Sequence, residues 1–232
     1  ASAGGVNWRL GETSGLTLEA RVDGNQFQRF ERLSSLRGGL LARALFKPFE
    51  GYSAPWFALE SDAGVIGHKD SALRDRWEWN GRVLSGARLT ERLSASLGYQ
   101  YSLSRGAQWG VWNTETHTLL TGAEYELMPR LKLFLKYQLG VGKYNVGDVW
   151  TGGWSFAAYD RFWRDKALEA DTNALVSAYR MDAVSQQLAA GGVWRLDHDW
   201  RLEVSGRYFA LDGEAGAFYE GFGANAGVSY QF

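Results

Sequence analysis

The sequence predicts an all-β fold: a closed antiparallel barrel of twelve strands, or ten, that crosses a membrane with its apolar side chains outward. Three observations predict it. Apolar residues recur at every second position along most of the chain, the period of a strand with one oily and one polar face. No window approaches the roughly 20 consecutive apolar residues that a membrane helix needs, and mean hydropathy is −0.31, as it is when the two faces of a strand average out. Connections of about three residues, Thr90 to Arg92, Met128 to Arg130 and Asp197 to Asp199, alternate with loops of about ten, so one end of the barrel carries turns and the other carries loops.

Composition agrees. The 232 residues suffice for one large domain or two small ones, and a single barrel uses that length comfortably. Aromatics make up 15% of the chain, with 11 Trp, 11 Tyr and 12 Phe, and belts of rings at two membrane interfaces account for such an excess. With 29 Gly against 3 Pro, many strands can be joined by tight turns. Cysteine is absent, which excludes a disulfide framework and any thiolate metal site. A net charge of −1 gives no basic footprint for nucleic acid.

Taken in order, residues 1–13 read as a periplasmic tail in which Val6, Trp8 and Leu10 could add a short strand, and residues 14–232 as the barrel. Leu16, Leu18, Ala20 and Val22 alternate with Thr17, Glu19 and Arg21 until Asp23-Gly24-Asn25 stops the strand. Leu36 to Lys47 repeats the pattern, and Pro48 and Pro55 turn the chain. From Trp56 to Val65 the faces are poorly resolved, because Trp56-Phe57-Ala58-Leu59 is continuously apolar. Gly67 to Asp70 opens a loop, after which Trp77 to Leu89, Leu93 to Leu103, His117 to Leu127 and Leu131 to Val141 alternate cleanly. Residues 142–186 hold either one long loop, giving ten strands, or a further pair, Val149 to Tyr159 and Asn173 to Met181, giving twelve. Twelve is preferred, because a structureless loop of that length argues against its own assignment. Leu188 to Leu196, Trp200 to Ala210 and the final stretch complete the set.

That final stretch, Gly221 to Phe232, sets Phe222, Ala224, Ala226, Val228, Tyr230 and Phe232 against Gly223, Asn225, Gly227, Ser229 and Gln231. It resembles the C-terminal signature of Gram-negative outer-membrane β-barrels, an alternating strand with a terminal aromatic. The resemblance implies the outer membrane as location, lipid and lipopolysaccharide as surroundings, and Tyr230 and Phe232 as a signal read by the barrel-assembly machinery. The opening Ala-Ser-Ala-Gly-Gly carries no charged-then-apolar leader, as expected of a mature or excised chain.

If the polar face is a lumen, it is lined by Glu19, Arg21, Arg37, Arg43, Arg82, Arg88, Glu124, Lys136, Arg201 and Arg207, with Lys47, Lys132, Glu78, Glu126 and Glu203. Bases outnumber acids there, and its many Gly and Ser suit a narrow passage. The expected function is a monomeric, porin-like channel for small hydrophilic solutes with a mild preference for anions, which rings of Arg and Lys favour. The opposing reading is that these charges pair across the lumen and plug it. A second class is the membrane anchor or export pore of a larger secretion protein, of autotransporter or polysaccharide-exporter type. A third is an outer-membrane lipid hydrolase or protease, for which His68, His117 and His198 are too scattered; His117 alone sits near an outer strand end, on the lipid side. No cofactor and no metal are expected: Asp70, Asp148, Asp160 and Asp165 lack the spacing of a calcium loop. Gly140 to Lys143 is only faintly like a phosphate loop. Trp150, Trp154, Phe162 and Trp163 fit an interfacial girdle or a sugar platform.

Overall fold

The computed structural model describes residues 2–11, 13–26, 34–107, 110–149, 161–164, 176–197 and 200–230. It is all β. Eleven strands follow one another in chain order as antiparallel neighbours: β1 (Ser2–Arg9), β2 (Ser14–Asn25), β3 (Ser35–Phe46), β4 (Trp56–His68), β5 (Arg76–Arg88), β6 (Leu93–Gly106), β7 (Thr114–Met128), β8 (Leu131–Val149), β10 (Val176–Arg195), β11 (Trp200–Gly213) and β12 (Phe218–Tyr230). The short β9 (Arg161–Arg164) pairs with β10 beside this path. Among the described residues no ladder joins β1 to β12, so closure is not part of the described sheet.

Two expectations are corrected here. Residues 2–9, read as a tail with a short strand at most, pair along their whole length with β2, Val6 and Trp8 opposite Leu18 and Leu16. The hairpin expected inside residues 142–186 is corrected where it is described. Its second arm is the upper half of β10, and Val149 ends β8, the two strands pairing without a break from Leu131↔Trp194 to Val149↔Val176. The rest of its first arm lies outside the described residues. The extension carries its own apolar cluster: Tyr179, Met181, Ala183, Leu211 and Ala217 are buried together, with Tyr144, Val146 and Tyr219 against them. That cluster offsets the entropy of ordering the ribbon. Among the described residues the path therefore has eleven strands, with β9 beside it, where ten or twelve were expected.

The faces sort by parity, and register carries parity from strand to strand. Arg43 lies opposite Glu60, Glu60 opposite Arg82, Arg82 opposite Gln100 and Gln100 opposite Thr118, so one face is continuous around the sheet. On the other face stand Leu18, Leu40, Val65, Val83, Leu97, Leu119, Leu135, Leu188, Val204 and Phe222, all exposed, Phe222 to 83%. Over thirty large apolar side chains are exposed among the described residues, and few are buried. Burying such a side chain contributes about 1.5–3 kcal/mol. Exposing so many to water would forgo tens of kcal/mol, several times the ~5–15 kcal/mol by which a domain is stable. The apolar face therefore requires an apolar medium.

The polar face is concave. Asn25 on β2 and Tyr144 on β8 line one cavity of about 530 Å³, although six strand spacings would hold them roughly 29 Å apart on a flat sheet. The sheet must curl to bring them together, as the native twist favours.

Candidate functional site: the concave polar face

All ten expected lumen residues lie on this one face. Glu19 and Arg21 come from β2, Arg37 and Arg43 from β3, Arg82 and Arg88 from β5, Glu124 from β7, Lys136 from β8, and Arg201 and Arg207 from β11. Register adds residues the sequence reading missed. Glu60 and Asp62 stand opposite Arg43 and Leu41 and share the face. The apolar run Trp56 to Leu59 hid their parity; counting by twos back from Glu60 would have found it. Asp23 and Arg76 join them.

Arg21, Arg37, Arg43 and Arg82 of β2 to β5 are paired with acids along the wall. Arg37, whose side chain is 15% exposed, holds three strands: Nη2 donates to Asp62 Oδ2 at 2.8 Å, Nε donates to Glu78 Oε1 at 2.5 Å, and Nη1 lies 3.7 Å from Asp23 Oδ2. Reaching from β3 to β5 requires the guanidinium to lie flat on the sheet, and two glycines allow it. A Cβ on Gly39 would stand 3.0 Å from Arg37 Nη1, and one on Gly64 would stand 3.0 Å from Nη2 and 2.9 Å from the Gly38 carbonyl. Lower down, Arg82 donates through Nε to Gln100 Oε1 at 2.5 Å and through Nη1 to Glu60 Oε2 at 3.5 Å. Arg43 Nε sits 3.1 Å from Glu60 Oε1, at an angle that makes a charge contact and no hydrogen bond. Arg21 donates to both oxygens of Glu19, at 2.7 and 3.2 Å. Such charge-assisted bonds fix direction as well as energy.

The β8 to β12 wall is different. Lys136 on β8 and Arg207 on β11 share a hydrogen-bonded row, separated by Ala189 and followed by Gly223. Lys136 Nζ stands 5.0 Å over the Phe134 ring, and Arg207 lies along Gly223, where a Cβ would meet Nε at 2.9 Å. At the short-turn rim, Arg88 stacks 4.6 Å over Tyr52. Beyond the strands at the opposite rim, Arg74 stacks 4.9 Å over the buried Trp112, and burial pushes its guanidinium down to about 10, the neighbouring Arg76 adding to the effect.

The other candidates resolve as follows. His117 lies on the apolar face, its Nδ1 2.5 Å from Tyr99 Oη and its ring 5.1 Å from that of Tyr101, which donates to Glu115 Oε1 at 2.7 Å. No serine belongs to that contact. His68 is the last residue of β4, not a loop residue as expected, because Ser35 pairs with it. Gly140 to Lys143 is continuous strand; Gly142, at φ +148°, is needed because the Glu115 carbonyl occupies the place of a Cβ. Among the described residues no group of His, Asp and Glu has the geometry of a metal site. Phe162 and Trp163 belong to β9. Tyr230 ends β12 opposite Trp200. Phe232, His198, Trp150, Trp154, Asp160 and Asp165 lie outside the described residues.

No family model matches the chain, and no curated protein matches it. Solved structures with a similar course of backbone include the KdgM porin in complex with disordered oligogalacturonate (TM-score 0.46, 14% identity, 99% of this chain and 91% of that one). The NanC porin gives a TM-score of 0.47 at 10% identity, over 99% and 98% of the two chains. LpxR from Salmonella typhimurium gives 0.46 at 8%, over 98% and 87%.

Proposed function

We propose that the chain is an outer-membrane β-barrel that closes around its concave face and conducts small hydrophilic solutes, anions in preference to cations. One observation carries this reading: along the middle of the strands the molecule is inverted, with exposed apolar rows on the convex side and charges such as Arg37, Arg43, Glu60, Asp62 and Arg82 on the concave side, while charges of the other face, Glu115, Lys143, Asp182, Asp212 and Glu220 among them, sit toward the long-loop rim. A bilayer solvates the first arrangement and a water-filled lumen the second. Rings mark both ends of the apolar band, Trp77, Trp79 and Tyr101 near the long-loop rim and Trp8, Phe46, Tyr125, Trp194 and Trp200 near the other, as interfacial girdles do. The lateral pairing of Arg37, Arg43 and Arg82 with acids of the same wall favours a passage over a plug, since their charge is satisfied without bridging the lumen. The expected state is a monomer surrounded by lipid and lipopolysaccharide, with Tyr230 and Phe232 serving the assembly machinery.

Purified protein in a planar bilayer tests the reading. Stepwise conductance is expected, with a reversal potential of anion-selective sign under a salt gradient; a silent membrane or clear cation selectivity rejects it. Closure is tested separately by electrophoresis: a closed barrel resists SDS until boiled, because it offers no edge at which to unzip.

A further inference from the structure

The two walls of the concave face divide the electrostatic work, and we infer that Lys136 and Arg207 alone set the anion preference while the arginines of the opposite wall are structural. This deepens the channel reading and rests on it.

On β2 to β5, above Arg88 at the short-turn rim, the polar face carries Arg21, Arg37, Arg43, Arg76 and Arg82 against Glu19, Asp23, Glu60, Asp62 and Glu78. The signs balance one for one, and contacts of 2.5 to 3.7 Å tie four of these cations to acids of their own wall. A solute passing at van der Waals distance meets dipoles there, whose field falls off faster than that of a lone charge. Past Glu124, which lies two residues along β7 from the Lys136 row, and up to the level of Tyr144, the same face of β6 to β12 carries no acid among the described residues; Asp148 follows only at the far end of β8. Its polar groups are Ser96, Gln100, Thr118, Gln138, Ser185 and Gln187 and their like, and its only cations below the rim are Lys136 and Arg207. Neither makes an ion pair among the described residues. Their Cα atoms are two strand spacings apart, roughly 10 Å, and the intervening Ala189 and adjoining Gly122 and Gly223 raise no side chain high enough to screen them. On this wall a solute with negative charge therefore meets two cations without an ion-pair partner at one level and no further cation below the long-loop rim.

The magnitude follows from Coulomb's law. A unit charge about 5 Å from the ion path in water changes an ion's energy by an amount equal to roughly a fourfold partition factor, reduced by salt. Each charge favours an anion and disfavours a cation by that factor, so even after screening two such charges account for a preference of at least about tenfold.

The test is the reversal potential of three variants in a KCl gradient, each first shown to be folded by heat-modifiability. K136Q/R207Q is expected to lower the anion-to-cation permeability ratio about fivefold or more while still conducting. The E60Q/R82Q variant, which removes one charge of each sign from the opposite wall, is expected to leave the ratio within twofold of wild type. The single variants K136Q and R207Q divide the loss between them and stand in for the double variant if it does not assemble. A ratio unchanged in K136Q/R207Q and in both single variants, or one that collapses in E60Q/R82Q, overturns the inference and leaves the channel intact. A wild-type protein that does not conduct refutes the channel reading itself.

Discussion

Leu40→Arg separates a membrane barrel from any water-soluble sheet. Leu40 lies on the apolar face, 67% exposed, five residues from one end of β3 and six from the other. At ~3.3 Å per residue it is roughly 17–20 Å along the strand from each end. With the 35–45° tilt usual for such strands, that places it about 12–16 Å from each interface, near the middle of a ~25 Å apolar band. An arginine there loses the contact of a mostly exposed leucine with acyl chains, about 1–2 kcal/mol, and must bring a charge into the band. The total expected is about 2–4 kcal/mol of destabilisation. Leu36→Arg, four residues along the same face and next to the rim, should cost no more than about 1 kcal/mol, because the guanidinium can reach the headgroups. The assay is urea unfolding of both variants and wild type in phosphatidylcholine vesicles, read as the shift in midpoint at constant slope. In a soluble protein both residues would face water and either substitution would lie within about 0.5 kcal/mol of neutral. Equal, negligible shifts at both positions would refute the membrane orientation and everything built on it.

Other consequences follow from the packing. Arg37→Ala leaves Asp62 and Glu78 partly buried without their cation and should destabilise by about 1–3 kcal/mol; Arg37→Lys, with one point charge in place of a fork, should recover only part of the urea midpoint. Gly64→Ala sets a methyl against Arg37 Nη2 and the Gly38 carbonyl and is expected to cost about 1–3 kcal/mol, while Gly67→Ala, with open space around its Cβ, should stay within about 0.5 kcal/mol; equal midpoints for the two would contradict the flat-lying guanidinium. Met181→Ala empties the centre of the β8–β10–β11 cluster, where Met181 is fully buried, and should cost about 2–5 kcal/mol, read as faster proteolysis of the β8–β10 ribbon.

The sequence by itself determined the all-β class, the identity of most strands and the shared face of all ten named charges, because side-chain direction in a strand has a period of two and needs no partner to be read. Leu16 to Val22 or Leu93 to Leu103 can be sorted by counting. Tertiary structure alone decided what depends on a partner. Glu60 and Asp62 acquired a face from their register against Arg43 and Leu41, since four apolar residues in a row have no parity of their own. Residues 2–9 became a strand because β2 offers them a ladder, and β8 and β10 ran past the expected loop because Tyr144 and Val146 found Tyr179 and Met181 across the sheet. Whether an arginine is a pore charge or a strut is equally invisible in the chain: Arg37 and Arg207 occupy the same kind of alternating position, and only the neighbours at 2.5 to 2.8 Å distinguish them, because an electrostatic interaction is a property of distance between strands and not of order along one.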